Sequence, residues 1–135
     1  MVLPDVAAAA AFLQSLGVAI DDMPPDWAGH HRPLPTADSG FDVDLDSQAF
    51  AHFWGGVPVD SSTLVINLHV DTRDAVDVMF ATAIELGASE QRAPHDAFWG
   101  RRYAVVAAPG PLLVGVMSPP DDHRRSRGPE PSDFT

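Results

Sequence analysis

The chain of 135 residues has no cysteine and no lysine, a single tyrosine, and no long apolar run. Without cysteine there can be no disulfide, no thiolate metal site and no cysteine nucleophile. No stretch approaches the ~18–20 consecutive apolar residues that a membrane-spanning helix needs. The alanine stretch near the start has no basic region ahead of it, so a secretory leader is not expected. These absences lead us to expect a cytoplasmic protein. The basic residues apart from histidine are all arginine, eight against 19 acidic residues, for a net charge of −11. A surface of that sign repels nucleic-acid phosphates and anionic lipid, and it draws cations. Neither nucleic acid nor membrane is therefore an expected partner.

What is present is an ordinary globular mixture, 45% hydrophobic and 20% charged, in a length that suits one domain. "DVAAAAAFLQSLG" reads as a helix opened by Asp5 and stopped by Gly17, with Phe12, Leu13 and Leu16 on one side. "DTRDAVDVMFATAIELG" repeats the pattern. Asp71 opens it, Ala75, Val76, Met79, Phe80, Ala83 and Leu86 recur at helical spacing, and Gly87 closes it. Each helix is followed by short extended runs between turn-rich segments. In the first half these are Val18–Asp22, Gly29–Leu34 and Phe41–Asp46. In the second they are Ala88–Arg92, Tyr103–Ala107 and Leu112–Met117. Met1–Leu3 and Leu64–Val70 are the strands expected before the two helices, and "AFAHFWGGVPVDSS" bridges the halves. The pattern predicts a tandem repeat of strand, helix and three strands. From residue 121 onward, two prolines and mixed charge with little to bury read as a flexible tail.

With this repeat, "LHVDTRDAVDVMFATAIELGA" and "APHDAFWGRRYAVVAAPGPLLVGVMSP" resemble the vicinal oxygen chelate superfamily, which includes glyoxalases, extradiol dioxygenases and bleomycin-resistance proteins. The resemblance spans about residues 3–119. It implies an α+β fold in one domain over 1–120, with module one about 1–56, module two about 63–119, and 121–135 as the tail. The two βαβββ modules would form a curved, cleft-enclosing mixed sheet with the helices outside, commonly in a homodimer. Enzymes of the superfamily hold a divalent metal with four residues. By the resemblance, one place falls before Met1, and the others fall on Asp44, Val65 and Gly115. Valine and glycine supply no side-chain donor, and one carboxylate cannot hold such a metal. No metal and no cofactor are therefore expected.

Strand alternation from these positions sets the cleft side. Asp44 would face inward with Asp42 and Asp46, Val65 with Asn67 and His69, and Gly115 with Leu113 and Met117. Leu64, Ile66, Leu68 and Val70 would pack on the helix. Phe98 and Trp99 in "HDAFWG" would form a stacking wall, with Phe53 and Trp54 from the bridge. The expected ligand-binding set is thus Asp44, Asn67, His69, Phe98, Trp99, Met117, Phe53 and Trp54, with no catalytic residue named. The expected function is metal-free binding of an aromatic or cationic small molecule, such as an antibiotic. Two other readings stay open. One is a metal-dependent lyase, isomerase or dioxygenase using Asp44 with His31 or His69. The other is a metal-independent enzyme with His95 or His69 as general base, His95 and Asp96 forming an acid–base pair.

Overall fold

Thr72 precedes the most regular helical pattern in the chain, and its hydroxyl accepts a hydrogen bond from the Ala75 amide at 3.1 Å. This capping leaves Asp71, the residue expected to open the helix, one position outside it. The computed structural model describes residues 1–36, 43–60, 62–110 and 112–134. In chain order the elements are β1 (Val2–Leu3), α1 (Val6–Ser15), β2 (His31–Leu34), β3 (Val43–Ser47), α2 (Gln48–Gly55), β4 (Val65–His69), α3 (Arg73–Glu85), β5 (Ser89–Asp96), β6 (Arg102–Ala107) and β7 (Leu113–Met117). Short 3₁₀ turns follow at Asp122–Arg124 and Pro131–Phe134. The fold is α+β, with one mixed sheet of three strands and one of four. Among the described residues, no helix is long and apolar enough to cross a membrane.

The chain divides into two compact units. The first comprises Met1–Phe53, Pro58–Thr63 and Glu130–Thr135; the second comprises Trp54–Val57 and Leu64–Pro129.

The second unit is a complete βαβββ module of strand order β4–β7–β6–β5, in which β4 runs parallel to β7 and the remaining pairs are antiparallel. One face of its sheet is covered by α3, where Val76 packs with Ala104 and Val116, and Val70 and Phe80 close the edges. The helix leaves β4 uncovered. Leu64, Ile66 and Leu68, expected on the helix side, are 53%, 42% and 44% exposed, because α3 lies over β5, β6 and β7 while β4 forms the opposite edge of the sheet, beyond β7. Strand β5 also runs four residues further than expected, through bulges, so that His95 and Asp96 belong to a strand and only the tight turn after them is loop.

The first unit holds the order β1–β3–β2, with β1 parallel and β2 antiparallel to β3. Asp5 caps α1 by accepting from the Ala8 amide at 2.8 Å, and Gly17 follows the helix at φ +90°. The core side of α1 is Val6, Ala10 and Leu13, packed with Ile20 and Leu45, whereas Phe12 and Leu16 are 64% and 67% exposed. The strand expected at Val18–Asp22 is not formed. The Val18 amide donates back to Leu13 O, the Gln14 side chain donates to Ile20 O, and Ile20 packs into the core as irregular chain. Two aspartates and Pro24–Pro25, which follow, oppose any extended ladder, since proline has no amide to donate. The expected Phe41–Asp46 strand is described from Val43; Phe41 and Asp42 lie outside the described residues.

The segment after residue 120, expected as a tail, makes specific contacts. In the second unit, the Asp121 amide donates to Gly100 O and the Ser126 amide to Phe98 O, while Gly128 lies against the Phe98 ring. In the first unit, Phe134 packs among other rings.

Candidate functional site

Glycine 115 sits in the middle of β7, on the sheet face opposite α3, and the reason it must be glycine is visible. A Cβ there would lie 2.0 Å from Asn67 Oδ1 and 2.6 Å from the Tyr103 hydroxyl. Register places Asn67 beside Gly115 on one side and Val105 on the other, so Tyr103, two residues before Val105, reaches over the same spot. Its hydroxyl donates to Asn67 Oδ1 at 2.8 Å. The Tyr103 ring is 1% exposed and forms the centre of an aromatic group. Trp54 lies 6.0 Å away, Trp99 5.5 Å and the His95 imidazole 6.1 Å, all tilted or edge-on. Phe98 meets Trp99 edge to face at 5.0 Å. Trp54 is delivered by the last turn of α2, and just after it Gly56 allows the chain to approach β5 closely. Gly56 adopts φ +66°, and a Cβ on it would fall 2.7 Å from Gln91 O. The Trp54 indole N–H is buried and has no hydrogen-bond partner among the described residues.

His95 and Asp96, neighbours in sequence, serve opposite faces of β5 and form no acid–base pair. His95 turns to the ring face, where burial, reinforced by the charges of Arg92 and Arg102, pushes its pKa down and favours the neutral imidazole. Asp96 turns to the α3 side and accepts from Arg73 and from Arg102, with Arg124 at 3.5 Å. Burial opposes its charge, yet these guanidinium groups outweigh it and hold the carboxyl below its usual range. Arg102 also forks onto Asp77, at 2.9 and 2.7 Å, and this pair lowers the Asp77 pKa and raises that of Arg102. The alternation of a strand separates the two residues, so the His95–Asp96 acid–base pair expected under one alternative is not formed.

Of the remaining expected residues, Met117 is half-buried opposite Tyr103 in the ladder, and His69 is exposed at the end of β4. Asp44 and Phe53 belong to the first unit. Asp44 lies on β3, on the sheet face away from Leu45 and α1. Two residues on, Asp46 is buried and meets His31 Nδ1 at 2.6 Å. Burial works against charging His31, but the hydrogen bond and charge of Asp46, with Asp44 nearby, outweigh it and raise the His31 pKa. Phe53 packs against Phe134.

No family model and no curated protein matches the sequence. Solved structures do. The chain is similar to a glyoxalase/bleomycin resistance protein/dioxygenase family enzyme from Burkholderia phytofirmans PsJN, at 20% identity over 87% of this chain and 93% of that one, with a TM-score of 0.42. It is likewise similar to a glyoxalase/bleomycin resistance protein/dioxygenase from Nocardioides, at 16% identity over 90% and 81%, TM-score 0.42. Several of its structural neighbours are glyoxalase-family proteins. A Legionella pneumophila protein named as an NAD-dependent benzaldehyde dehydrogenase aligns at TM-score 0.59, with 12% identity over 86% and 92%, a likeness of fold alone.

In glyoxalase-like terms, the metal positions implied by resemblance do not fit a divalent ion here. Val65 offers an alkyl group, and the place where a ligand would project from residue 115 is filled by the Tyr103–Asn67 hydrogen bond. Among the described residues, no group of three or more His, Asp or Glu side chains could hold a metal. Sequence reasoning missed Tyr103, the residue around which the site is organised. The available signal was alternation: counted along β6, Tyr103 and Val105 share the face of Gly115.

Proposed function

We propose that the protein binds an aromatic small molecule, antibiotic-like in being planar and substituted, on the ring face of the second unit, without metal chemistry. The observation that carries this reading is the group of Tyr103, Trp54, Trp99 and His95 assembled over a glycine, with the buried Trp54 indole N–H unsatisfied among the described residues. Rings supply stacking area, and a buried donor without a partner is a cost that a ligand acceptor removes. Trp99 and Phe98 are the stacking wall in this reading, Asn67 and Trp54 the polar contacts, and Met117 and His69 the margin. Asp44, expected to attract cations, stands in the first unit, while the charged neighbour of His95 on the ring face is Arg92. A ligand with a carbonyl or other acceptor therefore suits the site better than a cation does. Binding rather than catalysis follows from a face that presents rings and amides but no paired acid and base.

The test is a titration of cationic, neutral and anionic aromatic compounds followed by tryptophan fluorescence, in the wild type and in Trp99→Ala and Trp54→Phe. Acceptor-bearing neutral or anionic rings are expected to bind best. Each substitution should weaken binding about tenfold, the size of a lost ring contact or hydrogen bond. Unchanged affinities in both variants would refute the site. The best binding by cations would move it toward Asp44. The same reading includes a homodimer, supported by the exposed apolar row of Ile66 and Leu68 on edge strand β4 with Leu64 just before it.

A further inference from the structure

In the first unit, four rings surround a fifth that arrives from a distant part of the chain. Phe134 lies 5.9 Å from Trp27, 5.4 Å from the His30 imidazole, 5.3 Å from Phe50 and 5.6 Å from Phe53. The four hosts are positioned without it. Trp27 and His30 occupy a turn closed by the Trp27 amide on Pro24 O and the His30 amide on Trp27 O. His30 Nδ1 also meets Ser47 Oγ at 3.1 Å. Phe50 and Phe53 are three residues apart on α2 and so share a face. Trp27 and Phe50 already pack on each other, edge to face at 5.5 Å.

The guest is presented differently. Its 3₁₀ turn is closed on itself, the Asp133 amide donating to Glu130 O and the Glu130 amide to Asp133 Oδ2. The residues before Phe134 in that turn are proline, serine and aspartate, none of them fully buried. Phe134 is the turn's one aromatic side chain, and it comes from no strand or α-helix. A locally closed polar turn offering one ring to a prebuilt aromatic cage has the form of a ligand in a site.

We propose that Trp27, His30, Phe50 and Phe53 form a binding site for a single benzyl-sized aromatic group, occupied in cis by Phe134 and vacated when residues 130–134 open. The site would take a small molecule or peptide side chain carrying one unfused ring. It stands on the first unit alone, so its failure and that of the ring-face reading are separate results.

The full-length Phe134→Ala variant, titrated by calorimetry with the synthetic peptide GPEPSDFT, is expected to bind it. The peptide with alanine in place of phenylalanine should not bind. The wild-type chain should bind GPEPSDFT at least about tenfold more weakly, because a tethered occupant competes at roughly millimolar effective concentration. Adding Trp27→Ala to the variant should abolish binding. In the wild type, hydrogen exchange at the Asp133 amide should be at least about a hundredfold faster than in β3, reporting local opening. Three results overturn the proposal: no binding to the folded variant, a Phe134→Ala chain that cannot fold, or equal protection of Asp133 and β3.

Discussion

The Tyr103 hydroxyl donates a hydrogen bond to Asn67 Oδ1 across 36 residues of sequence, and the 2.8 Å bond occupies the space a side chain at Gly115 would need. A single methyl group at that position should therefore be felt. Gly115→Ala is expected to destabilise by about 1–3 kcal/mol through overpacking against two polar atoms. Gly29→Ala, where a Cβ meets nothing within 4 Å, should be close to neutral. Urea unfolding of both checks this, and equal midpoints would show that the space over Gly115 is not filled. In a double-mutant cycle, Tyr103→Phe and Asn67→Ala should be non-additive by about 0.5–1.5 kcal/mol.

Arg102 joins β6 to α3 through a two-bond fork on Asp77 and to β5 through Asp96. Lysine cannot reproduce a fork. Arg102→Lys should cost about 0.5–1 kcal/mol, within the range of partly exposed pairs. Asp77 and Asp96 have lowered pKa values in the folded protein, so their contribution is present above the ordinary carboxylate pKa and lost as pH falls through the folded values. The gap between wild type and Asp77→Asn should close in acid. A gap that persists there would assign the loss to packing.

His31 carries the opposite sign. Its folded pKa lies above the ordinary 6.5, so the pair with Asp46 contributes fully below that value and loses its contribution as pH rises through the folded pKa. Wild type should exceed His31→Gln in stability by more at about pH 5.5 than at about pH 8.5. Chemical denaturation at both pH values gives the comparison. A difference that is constant or larger at high pH would mean that His31 is held as a neutral ring.

The apolar row on β4 makes the association state testable. Sedimentation equilibrium at micromolar concentration is expected to give twice the chain mass, and Ile66→Asp with Leu68→Asp should give one. A wild-type monomer would leave that row as a surface without a second copy of the chain.

Much of the architecture is written in short stretches of sequence. The spacing of Val76 and Phe80, the caps at Asp5 and Thr72, and the glycines after α1 and α3 determine two helices through contacts within a turn or two. Alternation along β6 and β7 determines which residues share a face, and valine at 65 and glycine at 115 bring no side-chain donor to theirs. What alternation cannot determine is the neighbour across the sheet. Only the strand order and register brought Asn67 and Tyr103 to Gly115, turned Asp96 to the arginines and away from His95, and left Leu64, Ile66 and Leu68 uncovered. The same is true of Val18–Asp22, whose place in the core as irregular chain depends on α1 and β3 together, and of Phe134, whose composition-poor surroundings signalled nothing to bury. Local periodicity is a property of the backbone's own geometry. Pairing is decided by the whole sheet at once, because a register is stable only where every side chain along the strand finds its partner.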